Sequence, residues 1–270
     1  MWKAGLTTDD LIRLRKQNHK TAFIYIFHTT KEGNFLGKRG AESGLRIVYA
    51  HFKAEEKIVL IGASGFIGSA ILKEALNCGH QVVAVVRHPD KIKTRHQNLT
   101  VKQGDVSSIE TVIRLCKDAD AVISAYNPGW VNPEIYEDTL KVYPVILKGV
   151  KQSGVKRLLI VGGAGTLFVS PGLRLMDAGL LPDAYMPGVK SLAIFFLEIL
   201  SEEKELDWVF FSPAGNIAPG NRTGKFRLGK DDLITDENGK SNISVEDYAV
   251  AMINELENPA YHKERFTIGY

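Results

Sequence analysis

The residues best suited to chemistry are three glycines in the run Gly62-Ala-Ser-Gly-Phe-Ile-Gly68. Their chemistry is anion binding by the main chain. In a strand-to-helix turn the first glycine permits the sharp reversal and the second lets the backbone approach a pyrophosphate. The third lets the helix pack closely on its strand. The helix N-terminus beyond it offers unpaired N–H groups and a partial positive charge. Ser64, Phe66 and Ile67 complete the turn. Glycine spacing alone is a weak signal, so the flanks decide. Lys57-Ile-Val-Leu-Ile61 precedes it and reads as a strand, while Ile67, Ile71 and Ala75 fall on one helical face with Gly79 as the stop. The turn is expected to bind a dinucleotide.

Three further strand ends are expected to complete that site. Arg87 stands at the end of the second strand, where NAD binders place an acid to hold the ribose hydroxyls; His88 and Lys91 follow. An arginine pairs with a 2′-phosphate through two hydrogen bonds, so NADP(H) is favoured over NAD(H). A solvated basic residue is the bland alternative. Asp105 and Val106 follow the third strand, where Asp105 either receives the adenine amino group or caps the helix starting near Ser108. Ser124 and Ala125, in Ser124-Ala-Tyr-Asn127, follow the fourth strand near the expected ribose and nicotinamide.

The elements that must hold these residues repeat as strand, turn and helix. Strands are expected over 57–61, 81–86, 99–102, 121–124, 157–161, 208–212 and 266–268. Helices are expected over 108–116 and 139–153, the latter interrupted or kinked near Pro144. Ser244-Val-Glu-Asp247 reads as a capping box opening a helix to about residue 258, and Asn238-Gly239 as a hairpin turn. Such alternation predicts an α/β fold, a Rossmann-type doubly wound parallel sheet with a small C-terminal substrate-side subdomain at about 165–270.

Composition sets the remaining bounds. The chain has 270 residues, 44% hydrophobic and 24% charged, ordinary values for a globular protein. Residues 1–54 hold 10 Lys+Arg against 4 Asp+Glu, whereas the rest holds 24 against 27. The leader is therefore basic on a mildly acidic body. It lacks clear periodicity and is expected to be a poorly ordered extension outside the fold, a targeting or regulatory arm being the alternative. Residues 55–270 form the single domain. With Cys78 and Cys116 in no metal-ligand spacing and no apolar stretch of 18 residues, the expected setting is the cytoplasm. The expected partner is a small-molecule acceptor, without metal, nucleic acid or membrane.

Several segments together resemble the atypical short-chain dehydrogenase/reductases. They are the glycine turn, Ser124-Ala-Tyr-Asn-Pro-Gly129, Val161-Gly-Gly-Ala-Gly165, Phe211-Ser-Pro-Ala214, Pro219-Gly-Asn-Arg-Thr-Gly224, Arg227-Leu-Gly229 and Ile243-Ser-Val-Glu-Asp-Tyr248. The resemblance runs from about residue 56 to the end. It is nearest to a bacterial group named for a proposed NADH-flavin reductase activity, also labelled epimerase/dehydratase-like. That group is similar to the biliverdin-IXβ/flavin reductases and the NmrA-like redox sensors. It implies cofactor contacts at Gly162 and Gly163.

The chain departs from the superfamily at the acid/base site. The segment after the fifth strand carries no serine, and Tyr185 precedes Lys190 by five positions rather than four, with Pro187 and Gly188 between. Five positions on a helix rotate a side chain roughly 140°, and the segment is open to being non-helical. Tyr185 and Lys190 remain the catalytic candidates. Hydride transfer to a flavin needs the two rings held together more than it needs an acid. Trp130, Tyr136, Phe210 and Phe211 either line such a cleft or pack in the core. The leading expectation is an NAD(P)H-dependent reductase of a flavin or similar planar acceptor. A non-catalytic NAD(P)-binding regulator comes second and a sugar-nucleotide epimerase or dehydratase third.

Overall fold

The computed structural model describes residues 22–25, 49–52 and 55–270, divided into the units Met1–Ala54 and Glu55–Tyr270. In the first unit β1 (Ala22–Tyr25) and β2 (Tyr49–Phe52) pair antiparallel, Ala22 opposite Phe52. The expectation for the order of the rest of 1–54 lies outside the described residues.

The second unit opens with β3 (Lys57–Ile61), α1 (Phe66–Asn77), β4 (Gln81–Val86), β5 (Leu99–Gln103) and α2 (Ile109–Cys116). It continues with β6 (Ala121–Ser124), α3 (Ile135–Ser153) and β7 (Arg157–Val161). The later elements are β8 (Phe168–Ser170), β9 (Leu173–Arg174), α4 (Met186–Ile194), β10 (Asp207–Ser212), β11 (Asn216–Ala218), β12 (Arg227–Gly229), β13 (Asn242–Ser244), α5 (Val245–Glu257) and β14 (Glu264–Gly269). The main sheet has eight strands in the order β12-β14-β10-β7-β6-β3-β4-β5. All neighbours run parallel except β12, which lies antiparallel on β14. From β3 the chain steps outward through β4 and β5, then returns to β6 on the other side of β3. Connections thus leave β3 and β6 in opposite directions, and the crevice at their carboxyl ends is the switch point where open α/β sheets bind ligands.

Strand alternation divides the core between the two faces of the sheet. Ile58 and Leu60 pack with Ile71, Ala75, Tyr248 and Met252 of α1 and α5. Val59 and Ile61 pack with Val112, Tyr143, Ile146 and Phe195 on the other side. A strand buried on both faces has to be apolar at nearly every position, as Lys57–Ile61 and Arg157–Val161 are.

Several expected boundaries hold. Helix α1 ends at Asn77, and Gly79 follows at φ +89°. Ser108 caps α2 by accepting a hydrogen bond from the Thr111 N–H. Others change. Helix α3 starts at Ile135 rather than Thr139 and runs through Pro144. A proline removes one backbone bond, while buried Val142, Tyr143, Ile146 and Leu147 hold the helix on both sides of it. The stretch before Lys190 is helical from Met186 onward, Pro187 occupying the first turn, where its missing N–H costs nothing. The Asn238-Gly239 turn is flanked by no strand pair among the described residues; the Asp236 N–H donates to the Lys240 carbonyl at 2.9 Å and the Asp236 carboxylate takes the N–H groups of Asn238 and Lys240. Strands β11 and β13 instead pair parallel. The expected lack of any apolar stretch of 18 residues does not hold: the helical run Asp183–Glu202, with mean hydropathy 1.3, is long and apolar enough to cross a membrane by composition. Its Phe195, Phe196 and Leu200 are buried in the core.

Candidate functional site

A cleft of about 870 Å³ opens across the carboxyl ends of β3, β4, β6 and β7. The glycine turn forms its floor. Gly62 has φ +78° and donates to the Val85 carbonyl at 3.1 Å, and Gly65 donates to Gly62 O at 3.0 Å. A Cβ on Gly62 would stand 2.4 Å from Ala125 O, and one on Gly68 only 2.1 Å from Gly62 O. Both glycines are therefore fixed by close backbone packing. Gly65 differs, because a Cβ there would meet only Gly62 O, at 3.3 Å, the remaining side being open. No side chain caps α1, and its first turn carries no acid. The N–H groups of Phe66, Ile67 and Gly68 have no carbonyl a turn earlier in the helix. Side-chain-free glycine, unpaired donors and the absence of an acid fit a pyrophosphate.

The side of the cleft at the ends of β4 and β5 carries the charge. Arg87 and Lys91 line the cleft. The Arg87 carbonyl accepts from Gln103 Nε2 at 3.1 Å, and among the described residues its guanidinium enters no ion pair. Asp105 and Val106 line the cleft beside them. Asp105 caps no helix: its Oδ1 accepts the Ser107 N–H at 2.9 Å, and the cap is Ser108. That N–H and the Ser107 hydroxyl hold the Asp105 carboxyl below its ordinary value, with Arg87 and Lys141 adding to the effect. Asp105 is thus an anionic acceptor facing cations.

At the end of β6 the paths diverge. Ala125 lines the cleft, but Ser124 is fully buried and its Oγ has no hydrogen-bond partner among the described residues. Tyr126, not singled out from the sequence, lines the cleft. Its carbonyl accepts the Tyr143 hydroxyl at 2.7 Å. Burial, reinforced by Asp138, pushes the Tyr126 hydroxyl up to about 12, so it stays a neutral donor at ordinary pH. Gly162 and Gly163 follow β7 along the cleft wall, and a Cβ on Gly162 would meet the Phe210 ring at 2.5 Å.

The structure brings Tyr185 to the cleft but not Lys190. Tyr185 and Val189 stand one turn apart and both line it. Lys190 is turned about 100° from Val189 and is exposed outside. Trp130 and Phe210 also line the cleft, whereas Tyr136 and Phe211 do not. Phe211 is core, stacked between Tyr248 and Phe266 at 4.2 and 4.0 Å. Leu175, Leu181 and Asn216 join the lining without any sequence signal, since they arrive from loops far along the chain.

The family profile described as NAD(P)H-binding matches residues 62–259, from the first glycine of the turn into the last connection of the sheet. The chain belongs to this NAD(P)H-binding family. It is of the atypical short-chain dehydrogenase/reductase type. YwnB of Bacillus subtilis (strain 168), an uncharacterised protein, is 39% identical over 215 residues, which cover 78% of this chain and 97% of YwnB. A Bacteroides thetaiotaomicron structure provisionally named an epimerase is 62% identical with a TM-score of 0.77, covering 80% of this chain and 97% of its own. A Streptococcus pneumoniae structure provisionally named an NADH-flavin reductase is 31% identical with a TM-score of 0.67, covering 79% and 99%.

Proposed function

We propose that this protein is an NAD(P)H-dependent oxidoreductase that prefers NADPH and passes hydride to a flavin or similar planar acceptor. The observation that carries this reading is the side-chain-free glycine turn at the switch point, continuous with a wall of uncharged and aromatic side chains. The name of the Streptococcus relative is consistent with it. When bound, NAD(P)H would supply one hydride, and a solvent proton would complete reduction of the acceptor. The chain's own part is to hold and to exclude. Gly62–Gly68 bind the pyrophosphate, Arg87 and Lys91 receive the 2′-phosphate, and Asp105 takes the adenine amino group. Tyr126 presents a neutral hydroxyl as a hydrogen-bond donor. Tyr185 and Trp130, edge to face at 5.3 Å, and Phe210 screen the reacting faces from water. The provisional name of the Bacteroides relative would suggest epimerase chemistry, but with Lys190 outside the cleft the tyrosine–lysine pair that serves such chemistry in this superfamily is missing. Two cysteines in no paired or metal-ligand spacing are consistent with a reducing, cytoplasmic setting.

The test is steady-state NADPH oxidation with FMN, riboflavin and simple quinones. Turnover with at least one planar acceptor and a lower KM for NADPH than for NADH is expected. NADPH binding without turnover on any of them would contradict the reading and favour a regulator.

A further inference from the structure

Charge is distributed unevenly around the cleft. Its charged lining residues are Arg87, Lys91, Asp105, Asp138 and Lys141, all from the ends of β4 and β5 or from α3. The part contributed by residues 161–217 contains none, running instead through Leu175, Leu181, Tyr185, Val189 and Phe210 with the amide of Asn216. A phosphorylated acceptor would find no cation there. Among the charged residues close in the chain to this lining, Asp177, Asp183 and Lys190 are exposed without lining the cleft, Asp138 is bonded by Asn132 Nδ2 at 2.8 Å, and Arg174 is turned over the Phe168 ring at 5.9 Å.

The mouth itself is apolar and wet. Trp130 is 50% exposed, Val131 97% and Leu180 68%. Trp130 and Tyr185 line the cleft and are 50% and 47% exposed, so its apolar lining reaches the surface, and Val131 and Leu180 adjoin the lining residues Trp130 and Leu181 in the chain. Gly188 explains how Trp130 comes to lie there: a Cβ would meet its ring at 2.9 Å, so glycine lets the indole settle against α4 beside Tyr185. Exposed apolar groups continuous with a binding cleft mark a surface that a ligand covers.

We propose that the acceptor is an uncharged planar ring carrying a hydrocarbon tail, the ring held in the cleft and the tail lying over Trp130, Val131 and Leu180. This inference rests on the reductase reading above and narrows its acceptor class. An uncharged ring needs no cation from the wall, and a tail buries side chains that water otherwise meets.

The experiment compares acceptors that share a ring. A dimethoxy-methyl-benzoquinone and its decyl homologue are assayed with NADPH, beside riboflavin and FMN. The tail should raise kcat/KM by about tenfold, the gain expected from burying roughly two methylene groups. Riboflavin should outperform FMN. In the double variant V131D/L180D the ratio of tailed to tail-less kcat/KM should fall to near unity. Both positions are exposed, and a melting curve confirms that the variant folds. Calorimetric binding of the two quinones to the protein with NADP⁺ reads the tail's contribution without turnover. Equal affinity with and without the tail, or FMN preferred over riboflavin, overturns the inference and leaves the reductase reading standing. Tail-dependent binding without NADPH oxidation by any acceptor supports the surface and overturns the reductase reading.

Discussion

At the residue scale, the glycines and Arg87 divide the work between packing and recognition. A Cβ on Gly68 would lie only 2.1 Å from the turn's own Gly62 carbonyl oxygen, so Gly68→Val should lower stability by about 1–3 kcal/mol, read from a melting curve. Arg87 is a matter of binding alone. Its guanidinium is free of ion pairs among the described residues and stands in the lining, so losing a charge-assisted pair should weaken NADPH by about 1.5–3 kcal/mol. Calorimetry on Arg87→Ala should show that loss for NADPH with NADH little changed, and equal losses for both would remove the assignment. Glycine positions were legible because their spacing reports backbone geometry directly. Tyr126 is legible only as part of its strand-end motif, since a tyrosine after a strand carries no sign of which way its ring turns. Lys190 was visible as a type but not as a position, because one residue's rotation on α4 separates the cleft from solvent.

At the element scale, the capping box at α5 shows where local reading stops. Ser244 caps as expected, its Oγ accepting the Asp247 N–H at 3.0 Å. Asp247 does not reach back to the Ser244 N–H. It takes the N–H groups of Thr223 and Gly224 at 2.8 Å each, the Thr223 hydroxyl at 2.6 Å and the Tyr270 hydroxyl at 2.8 Å. A carboxylate with four donors from distant segments ties the loop before β12 and the last residue to α5. Burial works against that charge, but the donors outweigh it and hold the carboxyl below its ordinary 3.8. A depressed carboxyl stabilises the fold above its unfolded value and loses that contribution as pH falls through its folded value. Stability should therefore decline below about pH 3.8. Asp247→Asn should cost about 1–3 kcal/mol at neutral pH and flatten the acid limb, measured by denaturant unfolding across pH. An unchanged acid limb would assign that decline to other carboxyls. Strands of the parallel sheet were readable because burial on both faces makes them continuous apolar runs. The short pairs β8–β9 and β11–β13 were not, being three residues or fewer and held by loops.

At the scale of the whole molecule, the sheet order places the charged and the uncharged sides of the cleft at one switch point, with every strand of the main sheet between Lys57 and Gly269. A truncated chain beginning at Glu55 should keep its thermal midpoint and NADPH affinity, and a large fall in either would show that the basic leader contributes to the domain. The central claim is that NAD(P)H binds at the glycine turn. The most direct test is calorimetric titration of NADPH into the wild-type protein and into Gly65→Val. The open side of Gly65 is the space the phosphate oxygens would take, while a Cβ there meets protein only at 3.3 Å. The variant should keep most of its stability and lose measurable NADPH binding. Wild-type affinity in folded Gly65→Val would contradict the account.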